Sequence, residues 1–139
     1  MALGGIGNEV PANTFYHNDL WEYDPSTETW TQLADFPGQG RWRPFAFVID
    51  GQAYIGGGNR ESTNSSDFSD CYRFNPADGT WTPVADFPEG YGMGAYAVVI
   101  DDKAYVGEGG NHDYFEAYRT KLWEYDPGAD TWTHVSYTP

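Results

Sequence analysis

Long apolar runs are missing from this chain, cysteine occurs once, and cations are scarce: 7 Lys and Arg stand against 21 Asp and Glu, a formal net charge of -14. No run approaches the length of a membrane-spanning helix, so a membrane is excluded as a partner. Residues 1–10 lack the basic flank and apolar core of a signal peptide. A single cysteine cannot build a disulfide framework. The negative balance repels a phosphate backbone, which excludes nucleic acid. Also missing is any sustained helical period, and the many Gly, Pro, Thr and aromatic residues oppose one.

What the chain has is aromatic residues, 18% of the total, and a repeat. Trp30, Trp81 and Trp132 recur every 51 residues, and Tyr23, Phe74 and Tyr125 stand seven positions before them. Residues 19–36 (DLWEYDPSTETWTQLADF) return as 70–87 (DCYRFNPADGTWTPVADF), and the first half returns again as 121–133 (KLWEYDPGADTWT). Residues 45–58 (FAFVIDGQAYIGGG) are echoed by 96–109 (YAVVIDDKAYVGEG). The same register sets residues 2–8 (ALGGIGN) against 53–59, which predicts that the chain begins inside a repeat. A fixed period of this length marks an array of equivalent supersecondary units.

Each unit reads as four short strands, a to d. In the middle copy these are Phe45–Ile49, Gln52–Gly56, 70–74 and Thr80–Val84. Asp50-Gly51 suits a two-residue hairpin turn with positive φ, and Asn75-Pro76-Ala77-Asp78-Gly79 suits a short loop. Trp21 and Tyr23 alternate with Leu20 and Glu22, the period of a pleated strand with unlike faces. The expected fold is all-β, a β-propeller segment of about 2.75 four-stranded antiparallel blades. Its parts are an incomplete blade over residues 1–37 (strands b, c and d) and full blades over 38–88 and 89–139.

The Gly56-Gly57-Gly58 run after an apolar strand, an aromatic at 74 and a Trp seven residues later resemble the kelch repeat, and the match covers essentially the whole chain. Glu108 interrupts the Gly run of the third unit. The resemblance implies a ring around a channel, which eleven strands cannot close alone. Each end blade would expose an apolar face. The expected partner is a second copy, giving about six blades, or further blades of a parent chain. Similar chains rich in WEYDP and ADFP segments resemble secreted or cell-surface bacterial proteins.

Alternating strand direction assigns the loops to two faces. One face carries the a-to-b turns and the Asp/Asn-Pro loops, with Asp24, Glu28, Asp50, Asp78, Asp101, Asp102, Asp126 and Asp130. These loops are alike in every copy and read as scaffold. The other face carries the loops that differ between copies, together with Arg41, Arg43, Arg60 and Arg119, four of the seven basic residues. Blade construction does not dictate such positions, so ligand contacts are sought there.

Arg41-Trp42-Arg43 at the start of strand a is the leading cluster. Two guanidiniums flanking an indole suit an anionic or sugar ligand, with forks for a carboxylate and a ring face for a sugar's CH surface. The plain alternative is that these arginines neutralise Asp35, Glu61 or Glu89. The second cluster is the loop 108–120, where Glu108, His112, Asp113, Glu116 and Arg119 offer acid, imidazole and guanidinium for proton transfer or metal binding. Its single histidine gives no metal-ligand spacing, so neither a metal nor a cofactor is expected. Tyr91 joins the aromatic residues of this face. Trp30, Trp81 and Trp132, which repeat, are assigned to packing between blades. Cys71, aligned with Leu20 and Leu122, is expected to be a small buried hydrophobe.

The expectation for function is a non-catalytic module that binds a protein or a glycan. The resemblance also implies enzymes on this scaffold. A copper radical oxidase similar to galactose oxidase would need a Cys-Tyr crosslink and clustered histidines, and His17, His112 and His134 are scattered. A sialic acid epimerase would need an acid and an arginine at the channel mouth, which Glu108 with Arg41, Arg43 or Arg119 could supply. An isolated or engineered propeller fragment is the remaining reading.

Overall fold

The computed structural model describes residues 2–3, 6–9, 13–60, 68–88, 94–107 and 121–135. All regular structure among them is β. The middle unit is a four-stranded antiparallel meander: β6 (Phe45–Ile49), β7 (Gln52–Gly56), β8 (Cys71–Asn75) and β9 (Thr80–Val84). It is repeated by β10 (Tyr96–Ile100), β11 (Lys103–Gly107), β12 (Leu122–Asp126) and β13 (Thr131–Val135). The first unit is three-stranded, β1 (Ala2–Leu3), β4 (Leu20–Asp24) and β5 (Thr29–Gln32). These sheets form a partial β-propeller, as the repeat predicts.

Turn chemistry sets each register. Asp50 and Gly51 both adopt positive φ, at 50° and 71°, as do Asp101 and Asp102, at 49° and 59°. That geometry matches the right-handed twist of the flanking strands. In the Asp/Asn-Pro loops the side chain bonds to its own backbone two residues on: Asp24 Oδ1 accepts from Ser26 N, Asn75 Oδ1 from Ala77 N and Asp126 Oδ1 from Gly128 N. The Ser26 hydroxyl and then its amide hold the Asp24 carboxyl below its ordinary value, and the Ala129 and Gly128 amides do the same for Asp126. The acids of this face are thus consumed in building turns.

Two differences from the sequence reading stand out. Residues 2–8 were matched to strand b and the Gly run that follows it; Ala2–Leu3 does join the blade, but the residues after it are not simply a loop, because β2 (Ile6–Glu9) pairs with β3 (Asn13–Tyr16) in a separate hairpin. Thr14, Phe15 and Tyr16 are strong strand formers, which the match to the Gly run obscured. Strand c also begins at Cys71 rather than Asp70. Asp70 is occupied instead as an anchor, its carbonyl accepting from Gly57 N and its carboxylate from Arg41.

The core lies between blades. Phe45, Phe47, Ile49, Tyr54 and Phe87 of the middle unit meet Ala104, Val106, Tyr125 and Trp132 of the third. Leu20 and Leu33 of the first meet Ala53, Phe74 and Trp81 of the middle one. Both recurring indoles are fastened the same way: Trp81 Nε1 donates to Ala34 O at 3.0 Å and Trp132 Nε1 to Ala85 O at 2.9 Å. The part of each ring that the neighbouring blade covers adds about 25 cal/mol per Å² of apolar surface removed from water. Trp81 and Trp132 pack at the two junctions, whereas Trp30 is exposed.

Candidate functional site

The meander brings the b-to-c and d-to-a loops of the middle unit to one edge. There residues 37–44 cross residues 57–60. Trp42 and Asn59 exchange backbone hydrogen bonds of 2.9 and 3.0 Å as an isolated antiparallel bridge. The Trp42 indole also donates to Asn59 Oδ1 at 2.6 Å, and Asn59 is fully buried. This close crossing explains part of the Gly run. Gly58 has φ 85°, and a Cβ there would lie 2.8 Å from Trp42 O and 3.0 Å from Pro44 N.

Arg41 is only 2% exposed, which is where the sequence reading needs correction. Its Nη1 and Nη2 donate to the two carboxylate oxygens of Asp70 at 2.7 and 2.8 Å, Nη1 donates to Gly57 O at 2.9 Å, and Nε donates to Gln39 O at 3.0 Å. Phe36 and Phe68 flank the guanidinium, with centroids 4.7 and 4.2 Å away. A guanidinium has five N–H donors in a fixed fork, and four of these bonds are already made. Arg41 therefore staples the d-to-a loop to the start of strand c rather than waiting for a ligand. Its partner is Asp70, not Asp35. Glu61 and Glu89 lie outside the described residues.

Arg43 and Arg60 are different. Both are exposed, and among the described residues neither has a carboxylate partner. They follow Trp42 and Asn59, so they sit on either side of the bridge. Arg43 has φ 53°, an uncommon state for a residue with a side chain. It holds its guanidinium 4.4 Å above the Trp42 ring while its carbonyl accepts from Gly94 N at 3.0 Å. Arg60 donates to Gln39 Oε1 at 2.8 Å and lies 5.7 Å from the Tyr16 ring centre. Tyr91, Glu108, His112 and Arg119 fall outside the described residues.

Among the described residues, Cys71 and His134 are engaged elsewhere. Cys71 is buried in the inter-blade core, and burial pushes its thiol up to about 12, so it is unreactive at neutral pH. His134 packs edge-on to Trp123, with ring centres 5.2 Å apart. A cluster that sequence reasoning missed links Lys103 Nζ to Glu124 Oε1 at 2.6 Å and Tyr105 OH to Glu124 Oε2 at 2.8 Å. Its signal was the cross-strand pairing of Tyr105 with Glu124, invisible until the register of β11 and β12 is set. Among the described residues no three His, Cys, Asp or Glu side chains converge on a common point.

The family model for N-acetylneuraminate epimerase matches residues 3–138. This chain belongs to the N-acetylneuraminate epimerase family. It is 36% identical over 121 residues to the N-acetylneuraminate epimerase of Haemophilus influenzae, covering 85% of this chain and 30% of that protein. To the Pasteurella multocida N-acetylneuraminate epimerase it is 33% identical over 116 residues, covering 81% and 28%. The chain thus spans under a third of these relatives. The solved structure of YjhT superposes with TM-score 0.69 and 23% identity, over 91% of this chain and 48% of that one, which establishes the fold. Membership in the N-acetylneuraminate epimerase family overturns the expected non-catalytic binding scaffold and favours the sugar-active alternative.

Proposed function

We infer that this chain is part of a sialic acid epimerase-like protein, in which the kelch-type repeat supplies the frame and its variable loop face meets the sugar. The observation that carries this reading is the pair Arg43 and Arg60. They are exposed and without a carboxylate partner among the described residues, and Arg43 lies over the Trp42 ring at a positive φ. A sialic acid presents a carboxylate, which a guanidinium fork binds bidentately, and a ring whose CH surface packs on an indole. Arg41 supports the reading indirectly, since its closed hydrogen-bond set fixes the loop that carries Trp42 and Arg43.

Epimerisation also needs a group that moves a proton, and we assign this to Glu108, the residue that follows β11 in the sequence. Such an acid must lie within reach of the stereocentre once the carboxylate is anchored. The test compares N-acetylneuraminate with its methyl ester by saturation-transfer NMR. Binding of the acid only, lost in Arg43→Ala with Arg60→Ala, is the expected result. Equal binding of acid and ester would sink the carboxylate assignment. Separate resonances for the two epimers then report turnover, which Glu108→Gln should remove while leaving binding intact.

A further inference from the structure

Gln39 touches two arginines of the loop face and serves them differently. Its backbone carbonyl accepts from Arg41 Nε at 3.0 Å, and its side-chain Oε1 accepts from Arg60 Nη1 at 2.8 Å. Arg41 belongs to the buried staple that Asp70 neutralises. Arg60 is exposed and has no carboxylate partner among the described residues. A guanidinium only donates, so the amide of Gln39 must turn its oxygen toward Arg60.

The loop is built to hold Gln39 at this point. On one side Gly38 lies against the staple, where a Cβ would stand 2.6 Å from Arg41 Nη2 and 2.9 Å from Asp70 Oδ2. On the other side a Cβ on Gly40 would collide with the carbonyl of Tyr16, the last residue of β3. Gln39 is thereby pinned between the arginine staple and the β2–β3 hairpin, and its side chain reaches Arg60, 21 positions further along the chain. The Tyr16 ring closes the same corner, its centre 5.7 Å from the guanidinium. One repeat later Gly90 and Asn111 stand in place of Gln39 and Arg60, so blade construction requires neither.

In a chain with 21 acidic and 7 basic residues, a carboxylate is the common partner for an arginine, and it makes the stronger bond. At position 39 it would also cancel the charge that an anionic ligand needs, as Asp70 does for Arg41. An amide orients the fork and leaves its charge in place. Resting on the sialic acid reading given above, we propose that Gln39 is a positioning residue for the sugar carboxylate, aiming Arg60 at the ligand through an uncharged acceptor.

Two variants of similar shape test this role. Gln39→Glu keeps an acceptor but adds a charge, and Gln39→Met removes the acceptor; both alter an exposed side chain. In saturation-transfer titrations with N-acetylneuraminate, Gln39→Glu should weaken binding by about tenfold or more, since Arg60 becomes paired and the site gains a like charge. Gln39→Met should weaken it by about two- to tenfold, because the ligand must then order the arginine side chain itself. Labelling with phenylglyoxal, located by mass spectrometry, reads Arg60 without any sugar: the Gln39→Glu chain should label there severalfold more slowly than the unaltered chain. Arg41 should stay unlabelled throughout, which shows that the loop keeps its fold. Full affinity in either variant, or unchanged Arg60 labelling in Gln39→Glu, would overturn the proposal. Acid and methyl ester bound alike by the unaltered chain would defeat the sialic acid reading and this proposal together, whereas a preference for the acid that Gln39→Glu leaves intact would defeat this proposal alone.

Discussion

Arg41 and Asp70 stand 29 positions apart in the chain and are joined by two parallel hydrogen bonds of 2.7 and 2.8 Å. The arginine side chain is 1% exposed and the aspartate 33%, so the pair closes at the protein boundary with its cation inside. It ties the d-to-a loop to strand c at the point where Trp42 and Arg43 begin the inner strand.

Removing one partner leaves the other uncompensated, at a cost of about 3–5 kcal/mol for a buried pair. Asp70→Asn, which leaves the buried guanidinium without its counter-charge, is expected to approach that range, and Arg41→Ala, which leaves a partly exposed carboxylate, to fall below it. Urea unfolding monitored by tryptophan fluorescence checks both. An Arg41→Ala midpoint equal to that of the unaltered chain would show that the pair is only a surface contact.

Gly58 and Gly79 both hold positive φ, at 85° and 70°, but differ in surroundings. An added Cβ at Gly79 meets nothing within 4 Å, so Gly79→Ala costs only the backbone strain, about 1 kcal/mol. At Gly58 the same methyl adds a collision with Trp42 O and Pro44 N. Gly58→Ala should therefore lower the melting temperature clearly more than Gly79→Ala, and it should also disturb the bridge that positions Arg43.

Trp132→Phe keeps an aromatic ring against Phe45 and Phe87 but abandons the 2.9 Å bond to Ala85 O. The lost hydrogen bond and the smaller ring should cost about 1–2 kcal/mol in chemical denaturation. A neutral result would mean that ring volume alone holds the junction.

Burial raises the Cys71 thiol from 9.0 to about 12, so the folded chain keeps its proton while the unfolded chain releases it. The stabilisation is complete below pH 9 and is lost as pH rises toward 12, at about 1.4 kcal/mol per pH unit. Cys71→Val should flatten the slope of stability between pH 9 and 11, compared at matched urea titrations. At pH 8 the folded thiol should resist a disulfide reagent that labels the unfolded chain.

The repeat made the blades legible because Tyr23, Phe74 and Tyr125 with their tryptophans recur in fixed register, and the Asp-Gly turns announce their own geometry. The loop face was legible for the opposite reason, since its residues break the register. The hairpin at Ile6–Glu9 and Asn13–Tyr16 was not, because a match to the Gly run masked a local strand pattern. Arg41 and Arg43 read alike in sequence, one position either side of Trp42.

The sequence by itself determined the sheet periodicity and the turn types, because each follows from local stereochemistry repeated along the chain. Only the tertiary structure decided that Arg41 is consumed and that Arg43 is exposed with no carboxylate partner among the described residues. That distinction depends on Asp70, Gly57, Phe36 and Phe68 converging from distant positions on one guanidinium, and on a crossing at Gly58 that turns the next one outward. Hydrogen-bond capacity is settled by neighbours in space, and two arginines two residues apart have different ones.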